Sequence, residues 1–245
     1  MQDQDYIQLE PTSTVNAAKQ SRLKLVFIIV SIVIIILAII ATCILIFKEN
    51  NTIFVINQGW SITRDERSNE NIINLALEVE NTSKSKYASD ITIAAEVYDN
   101  GKEVTTITDA CYIEYLAPND KAYCASNIIQ ESDYNITDMA FTINGKTLKY
   151  SNYNANEQTN SNSFEVADID DKDKENISCT IRNNSSVTVN NPIATIVFYK
   201  DGKIIGGASG EIEEETLPSK GETSIQFYGN RIQEYDEYKI SVTGI

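Results

Sequence analysis

The hydrophobic pattern divides the chain near residue 50. Before that point, residues 25–47 form a run of 23 residues without a charged residue, Gly or Pro. At about 1.5 Å of rise per residue, a helix of this length reaches roughly 34 Å, which is enough to cross the ~30 Å hydrocarbon layer of a bilayer. We therefore predict a transmembrane helix over residues 23–47, with the membrane lipid bilayer as its partner.

Two alternatives to an uncleaved anchor follow from the same segment. A cleaved signal peptide has a shorter apolar region, about 7–15 residues, and ends in small residues. Residues 40–43 resemble the lipidation motif of bacterial lipoproteins, with Cys43 as the lipid acceptor. Thr42 departs from that motif and the apolar run continues to Phe47, so the uncleaved anchor is favoured.

Flanking charges give the direction of the anchor. Lys19, Arg22 and Lys24 precede the apolar run, whereas Lys48 follows it beside Glu49. The positive-inside rule therefore places the N-terminus in the cytoplasm and the C-terminal region outside a cell membrane that the chain crosses once. Residues 1–22 are polar and lack hydrophobic periodicity, which predicts a disordered cytoplasmic tail.

After residue 50 the pattern repeats. Residues 98–104 match residues 199–205 at a spacing of 101, and one residue of slip aligns residues 77–81 with residues 179–183. The matched positions are turn residues and apolar residues spread over both halves. This indicates a tandem duplication of one domain.

Each copy has the pattern of β-structure. Residues 74–80 alternate between apolar and polar positions, as in a half-buried strand. Asn100-Gly101 and Asp201-Gly202 are typical hairpin turns, because these residues tolerate positive φ. The predicted fold is an all-β ectodomain of two tandem immunoglobulin-like antiparallel β-sandwiches after one transmembrane α-helix.

The domain boundaries follow from the repeat. The first β-sandwich domain is expected over residues 52–150 and the second over residues 164–245. Residues 151–163 are rich in Asn and Ser and have no apolar pattern. They are predicted to form a flexible linker that lets the copies reorient.

The order of motifs within each copy resembles the FxLYD family of bacterial extracytoplasmic domains. An Asn-rich bend, an apolar strand ending in Tyr, an Asp/Asn-Gly-Lys turn and a Leu- and Pro-containing turn follow one another over residues 72–143 and 174–243. The Phe of the naming motif is absent from residues 95–99 and 196–200. The resemblance implies a Gram-positive envelope protein without catalysis, and it transfers no functional residues.

Charge and composition narrow the function. Lys and Arg total 20, Asp and Glu total 35 and His is absent, giving a net charge of −15. The four basic and four acidic residues of positions 1–51 cancel, so residues 52–245 carry the entire net charge. Such a domain is not expected to bind nucleic acid or anionic lipid, and no His-based catalytic or metal site is available to it.

Cys111 and Cys124 are the candidate disulfide. They flank the turn at residues 116–118, and the other copy has Ile212 and Ile225 at the matching positions. Both cysteines are therefore expected to point inward on neighbouring strands. An oxidising exterior favours a bridge, which would stabilise the domain by ~3 kcal/mol in the chain-entropy model.

The expected strand register does not decide whether this disulfide forms. A four-residue turn would pair Leu116 with Lys121 and place the two cysteines diagonally, about 7 Å apart at Cβ. The sequence is thus compatible with a disulfide or with two buried free thiols. Cys179 aligns with Leu77 and is predicted to be a small core residue.

Other side-chain clusters are weaker candidates. A carboxylate cluster could bind Ca²⁺, but its spacing does not match an EF-hand loop and lysines interrupt it, so a solvated acidic bend is favoured. The members of this cluster are Asp168, Asp170, Asp171, Asp173 and Glu175. Five tyrosines could form a binding platform, although covering a sheet face is their commoner role. They are Tyr112, Tyr115, Tyr123, Tyr150 and Tyr153.

The sequence therefore predicts a non-catalytic protein. The carboxylates of residues 211–215 lie on a predicted sandwich without a cleft for glycosidase chemistry, so no enzyme, cofactor or metal is expected. The favoured function is a membrane-anchored cell-envelope protein whose extracellular modules bind an unknown envelope protein or glycan. The alternative is an accessory or sensor subunit of a membrane protein complex, although the apolar run lacks a GxxxG-type face for helix pairing.

Overall fold

The structure is a computed structural model. It describes residues 28–42, 52–65, 70–130, 135–143, 149–154, 157–174, 176–210, 214–227 and 234–244, together with Ile212 and Ile232. The chain divides into two compact units, Met1–Asn51 and Thr52–Ile245. The predicted tail at residues 1–22 lies outside the described residues.

The first unit contains a helix over residues 28–42. Its large apolar side chains, from Ile28 to Ile40, are exposed around the helix. The predicted span of residues 23–47 extends past this helix on both sides, into residues outside the described part. Within the described residues, no helix combines the length and apolarity needed to cross a membrane.

In the first half of the second unit, the described residues form seven strands, which we call the first sheet pair. One sheet has the order β1-β2-β5, the other has the order β4-β3-β6, and β7 also pairs with β3. The strands are β1 (Ile53–Asp65), β2 (Glu70–Asn81), β3 (Lys86–Asp99), β4 (Lys102–Leu116), β5 (Lys121–Gln130), β6 (Asp138–Ile143) and β7 (Lys149–Asn152).

In the other half, the part that the structure describes contains eight strands, which we call the second sheet pair. Its sheets have the orders β14-β9-β8 and β12-β11-β15, with a small β10-β13 sheet beside them. A 3-10 turn at Ser161–Ser163 precedes the first strand. The strands are β8 (Phe164–Asp170), β9 (Ile177–Asn183), β10 (Val189–Asn190), β11 (Ile193–Lys200), β12 (Lys203–Gly210), β13 (Thr216–Leu217), β14 (Glu222–Phe227) and β15 (Glu237–Thr243).

Alternating side chains build one core inside each sheet pair. Leu75, Leu77 and Val79 of β2 are fully buried in the first core, and Ile177 and Ile181 of β9 are fully buried in the second. Every strand pairing among the described residues is antiparallel. The prediction of an all-β, antiparallel region is confirmed.

The two predicted hairpin turns are also present. Asn100 and Gly101 join β3 to β4 with φ of 48° and 80°, and Asp201 and Gly202 join β11 to β12 with φ of 51° and 73°. These left-handed conformations are the ones that Asn, Asp and Gly tolerate. The repeat therefore places the same turn in both sheet pairs.

A buried asparagine ends the matching strand of each sheet pair. Asn81 of β2 is fully buried and donates from Nδ2 to the carbonyls of Lys86 and Leu116, each at 3.0 Å. Asn183 of β9 is equally buried and donates to the carbonyls of Val187 and Leu217 at 2.9 and 3.1 Å. Backbone carbonyls buried at a bend need such donors, because no water reaches them.

The described residues of the expected flexible linker, residues 151–163, make hydrogen bonds to both sheet pairs. Ser151 belongs to β7 and pairs with Tyr87 of β3. Thr159 is buried and donates from Oγ1 to the carbonyl of Gly244, 3.1 Å away. The Ser161 amide donates to Asp120 at 2.7 Å. A polar, Asn- and Ser-rich composition gave no sign of these specific hydrogen bonds.

Candidate functional site

Cys111 and Cys124 are joined by a disulfide, with their Cα atoms 5.9 Å apart. Cys111 lies on β4 and Cys124 on β5, and these strands belong to opposite sheets of the first sheet pair. The expected pairing of Leu116 with Lys121 within one sheet is therefore wrong, because the turn between them crosses from one sheet to the other. The bridge connects the two layers through the core.

The acidic bend disperses its carboxylates among separate partners. Asp168 pairs with Arg182 at 2.9 Å, and Asp170 pairs with Lys172 at 3.6 Å. Asp171 accepts a hydrogen bond from the Tyr238 hydroxyl at 2.8 Å. Within the described residues, which exclude Glu175, no group of three or more His, Cys, Asp or Glu side chains could hold a metal ion.

The five tyrosines serve different contacts. Tyr115 is buried against the ring of Tyr87, with ring centroids 5.0 Å apart, and burial raises the pKa of its hydroxyl. Tyr150 accepts a hydrogen bond from the Thr52 amide at 3.3 Å. Tyr112 is exposed on β4.

The remaining tyrosine positions do not extend this set into a platform. Tyr123 reaches the second sheet pair, where the Tyr199 hydroxyl donates to its hydroxyl at 3.2 Å. Tyr153 is half-buried, and its amide donates to the carbonyl of Ser85 at 2.9 Å. Tyr123 thus contacts the second sheet pair, whereas Tyr115, Tyr150 and Tyr153 contact residues of the first.

The two sheet pairs pack together through the outer face of the β1-β2-β5 sheet. Ala76 of β2 and Ala125 of β5 are buried in one cluster with Val197, Tyr199 and Ile204 of β11 and β12. In an isolated first sheet pair, the outer face of the β1-β2-β5 sheet would be exposed to solvent, whereas here it is buried. Burial of Tyr199 in this contact raises the pKa of its hydroxyl.

Glycine makes this close approach sterically feasible. A Cβ at Gly207 would lie 2.8 Å from the Cβ of Ala125, and a Cβ at Gly59 would overlap the Ile204 carbonyl. Side chains at these positions would force the sheets apart, since packed interiors have little free space. We call the following five residues the small-residue interface: Gly59, Ala76, Ala125, Gly206 and Gly207.

Hydrogen bonds reinforce the small-residue interface at its margins. Ser209 of β12 donates from Oγ to the carbonyl of Ala125 at 2.9 Å. Asn191 donates from Nδ2 to the Glu114 carboxylate at 3.1 Å. These bonds join residues that lie far apart in sequence, so the packing of the two halves is specific.

A cleft of about 550 Å³ opens beside the small-residue interface. One wall is the end of β1 and the other comes from the second sheet pair. Its lining residues are Ser61, Ile62, Thr63, Lys200, Ile205, Ile232 and Glu234. Asn74, which is buried, donates to Thr63 Oγ1 at 2.9 Å and thereby fixes the first wall.

The opposite wall carries charge at its rim. Lys200 Nζ lies 2.8 Å from Glu234 Oε2, and this contact holds the pKa of Glu234 below its usual value and raises the pKa of Lys200. The Asp201 amide donates to Asp236 at 2.8 Å nearby. Three carboxylates thus surround one ammonium group, and the rim is acidic. An apolar floor and an acidic rim can bind a ligand.

Sequence reasoning missed this cleft because its walls come from different sheet pairs. Neighbouring glycines inside a strand are the one signal in the sequence that points to it. Gly206 and Gly207 interrupt β12, and glycine inside a strand often marks a close approach of another backbone. The identity of the approaching strand is not encoded in that signal.

No family model matches the chain, and no curated protein matches it either. One solved structure, a transglutaminase from red sea bream, is similar over 78% of this chain at 12% sequence identity. The chain spans 29% of that protein's length, and the TM-score is 0.21. A similarity this weak carries no argument about fold or function.

Proposed function

We propose that the chain is a single-pass, membrane-anchored protein of the cell envelope. Residues 23–47 serve as the anchor, and residues 52–245 form a non-catalytic binding ectodomain outside the cell. The two sheet pairs are proposed to be tandem immunoglobulin-like sandwiches similar to FxLYD domains. The ligand is an envelope protein or glycan.

Two features support the anchor. Residues 25–47 carry no charge, and the helix over residues 28–42 exposes large apolar side chains on all sides. A helix that is apolar all round is typical of one surrounded by lipid or by protein. The basic residues before the run support an N-terminus in the cytoplasm.

The small-residue interface is the observation that carries the binding function. It holds the two sheet pairs in one compact unit and gives the cleft between them fixed walls. A site between two packed modules is a common place for a ligand. Free reorientation of the two copies is not part of this function.

Labelling in intact cells tests the topology. Ser13→Cys lies in the proposed tail and Thr108→Cys lies on exposed β4. A membrane-impermeant thiol reagent is expected to label Thr108→Cys and to leave Ser13→Cys unlabelled until the cells are lysed. Labelling of Ser13→Cys in intact cells would contradict the proposed orientation.

Cross-linking in cells, followed by mass spectrometry, tests the binding function. We expect the full chain to retain a specific envelope protein or wall glycan that is lost when residues 52–245 are deleted. Recovery of the same membrane protein with and without residues 52–245 would favour the accessory-subunit alternative. That outcome would direct attention to residues 1–47.

A further inference from the structure

We propose that the open edge of β1 and the adjoining cleft bind an extended peptide segment of another protein by adding it as a strand to the β1-β2-β5 sheet. The segment is apolar at alternate positions and carries Lys or Arg. This inference deepens the proposed function and rests on it, since it names the site and the chemical class of the ligand.

β1 has the features of an edge that accepts a strand. Among the described residues it pairs on one side only, with β2. It is 13 residues long, and residues 53–63 contain no charge and no Pro, with Arg64 and Asp65 following at its end. Phe54, Ile56 and Ile62 are 45%, 41% and 38% exposed. Natural edge strands are usually protected by charges or by short length, and a long uncharged edge is a template for pairing.

Two other edge strands carry charged residues along their length. β4, the edge of the opposite sheet, carries Lys102, Glu103, Asp109 and Glu114. β8 carries Glu165, Asp168 and Asp170. β1 differs from both of these strands in its uncharged stretch of residues 53–63.

The cleft lies where an added strand would place its side chains. Ser61 and Thr63 belong to β1 and line the cleft, with Ile205 and Ile232 on the far side. A strand paired with β1 would lie about 4.8 Å from it and would direct alternate side chains to the same face of the sheet. Apolar side chains at those positions would therefore reach Ile205 and Ile232.

The negative charge at the cleft rim favours a basic peptide segment as the ligand. Glu234 is 87% exposed at the cleft rim, with Asp201 and Asp236 nearby. A second copy of the chain would bring another −15 to this rim, whereas a segment with Lys or Arg complements it. We therefore assign the site to a basic segment of a different protein rather than to self-association.

Peptide selection on the full chain in lipid nanodiscs tests the proposal. The probe is a displayed library of random peptides of about ten residues, which can pair along β1 at ~3.3 Å per residue. Enriched peptides are expected to alternate in hydrophobicity and to contain Lys or Arg. Ser61→Lys places a charge on the edge beside the cleft and should weaken their binding by at least about tenfold.

A matched variant controls for charge and fold. Thr108→Lys makes the same charge change on the β4 edge, where Thr108 is exposed, and should leave binding unchanged. Glu234→Lys reverses a charge at the cleft rim and removes its exposed ion pair with Lys200, and it should weaken the basic peptides more than their neutral analogues. Circular dichroism of each variant establishes that the fold is retained.

Backbone methylation separates strand addition from general apolar binding. One selected peptide is synthesised with N-methyl groups on either of its two alternate sets of amides. Only the set that faces β1 donates to the protein, so one version should lose binding and the other should keep most of it. Equal binding of both versions would overturn strand addition.

Two further results would overturn the site. One is a selection that yields no peptide sensitive to Ser61→Lys, and the other is self-association of the chain abolished by Ser61→Lys. Neither result decides the proposed binding function, which is tested by the cross-linked ligand and its loss with residues 52–245. Absence of that ligand, by contrast, would remove the basis for both.

Discussion

The cores of the two sheet pairs contain matching pairs of residues on neighbouring strands, each made of one cysteine and one large aliphatic residue. The strand that carries the cysteine differs between the two. In the first, Leu77 of β2 lies opposite Cys124 of β5. In the second, Cys179 of β9 lies opposite Ile225 of β14. The large side chain lies on β2 in the first sheet pair and on β14 in the second, and the cysteine lies on the other strand of each pair. The summed side-chain volume is therefore the same, although the residue at each matching position differs. Cores tolerate such exchanges when volume and pattern are kept.

The exchange changes what the thiol can do. Cys124 faces Cys111 of the opposite sheet and forms a disulfide. Cys179 is a buried free thiol whose pKa burial raises to about 11, which keeps it protonated and unreactive. In the second sheet pair Gly210 leaves room for Ile225, because a Cβ there would lie 2.6 Å from Ile225 Cδ1. The first sheet pair is cross-linked by a disulfide, whereas the second is held together by side-chain packing.

The largest expected effect comes from a feature the two copies share. Asn81→Ala and Asn183→Ala should each lower the free energy of unfolding by about 3–5 kcal/mol, because several hydrogen bonds are lost and buried carbonyls are left unpaired. Chemical denaturation measures this. Asn184→Ala, at the neighbouring exposed position, should cost less than about 0.5 kcal/mol. A small effect at one asparagine alone would show that the two copies are not stabilised alike.

Removal of the disulfide tests the main difference between the copies. The double variant Cys111→Ala, Cys124→Ala should lose about 3 kcal/mol, since the unfolded chain regains the entropy of the closed loop. Ile225→Val in the second sheet pair should cost only about 0.5–1.5 kcal/mol. Mass mapping of the wild-type protein without reductant checks the bridge directly. Two alkylated thiols at these positions would show that both copies rely on packing.

The small-residue interface is the region that makes the two copies interdependent. Gly207→Val should cost about 1–3 kcal/mol through overpacking and should split thermal unfolding into two transitions. Gly101→Asn, at a turn with open space and positive φ, is the control and should leave a single transition. A single transition in both variants would mean that the copies are not coupled through this interface.

Exposed ion pairs give the smallest effect, in both copies. Hydrogen bonds from Asn184 and then Arg182 hold the pKa of Glu165 below its ordinary 4.5, and Lys149 does the same for Asp90 in the first sheet pair. The stabilisation is present above the ordinary pKa and is lost as pH falls through the lowered pKa. Melting temperatures between about pH 7 and pH 3 should fall slightly less for Glu165→Gln than for the wild type. A steeper fall would reverse the assigned sign.

Local features of this fold were predictable from sequence. Alternation in β2, the turns at residues 100–101 and 201–202, and the equivalence of Asn81 with Asn183 follow from side-chain period and turn chemistry. The assignment of β4 and β5 to opposite sheets was not predictable, because a short turn can close a hairpin or cross a sandwich. The formation of the Cys111–Cys124 disulfide depends on whether β4 and β5 lie in the same sheet or in opposite sheets.

The cleft was beyond sequence reasoning for a different reason. Gly59 lies about 150 residues before Gly207, and only the packed structure brings them to the same interface. Gly and Ala do not add to the hydrophobic periodicity of a sequence. A contact that depends on small side chains therefore cannot be predicted from that periodicity. The contacts of Thr159 and Ser161 have the same origin, since their hydrogen-bond partners lie in different sheet pairs.

The proposed binding site depends most on the two sheet pairs moving as one body. Spin labels at Thr108→Cys on β4 and at exposed Ser186→Cys beyond β9, in the full chain with Cys43→Ser, allow the distance between them to be measured by pulsed electron resonance. We predict one narrow distance distribution, which broadens when Gly207→Val is added. A broad distribution in the protein with Gly207 intact would contradict a fixed cleft and restore a flexible linker between two independent modules.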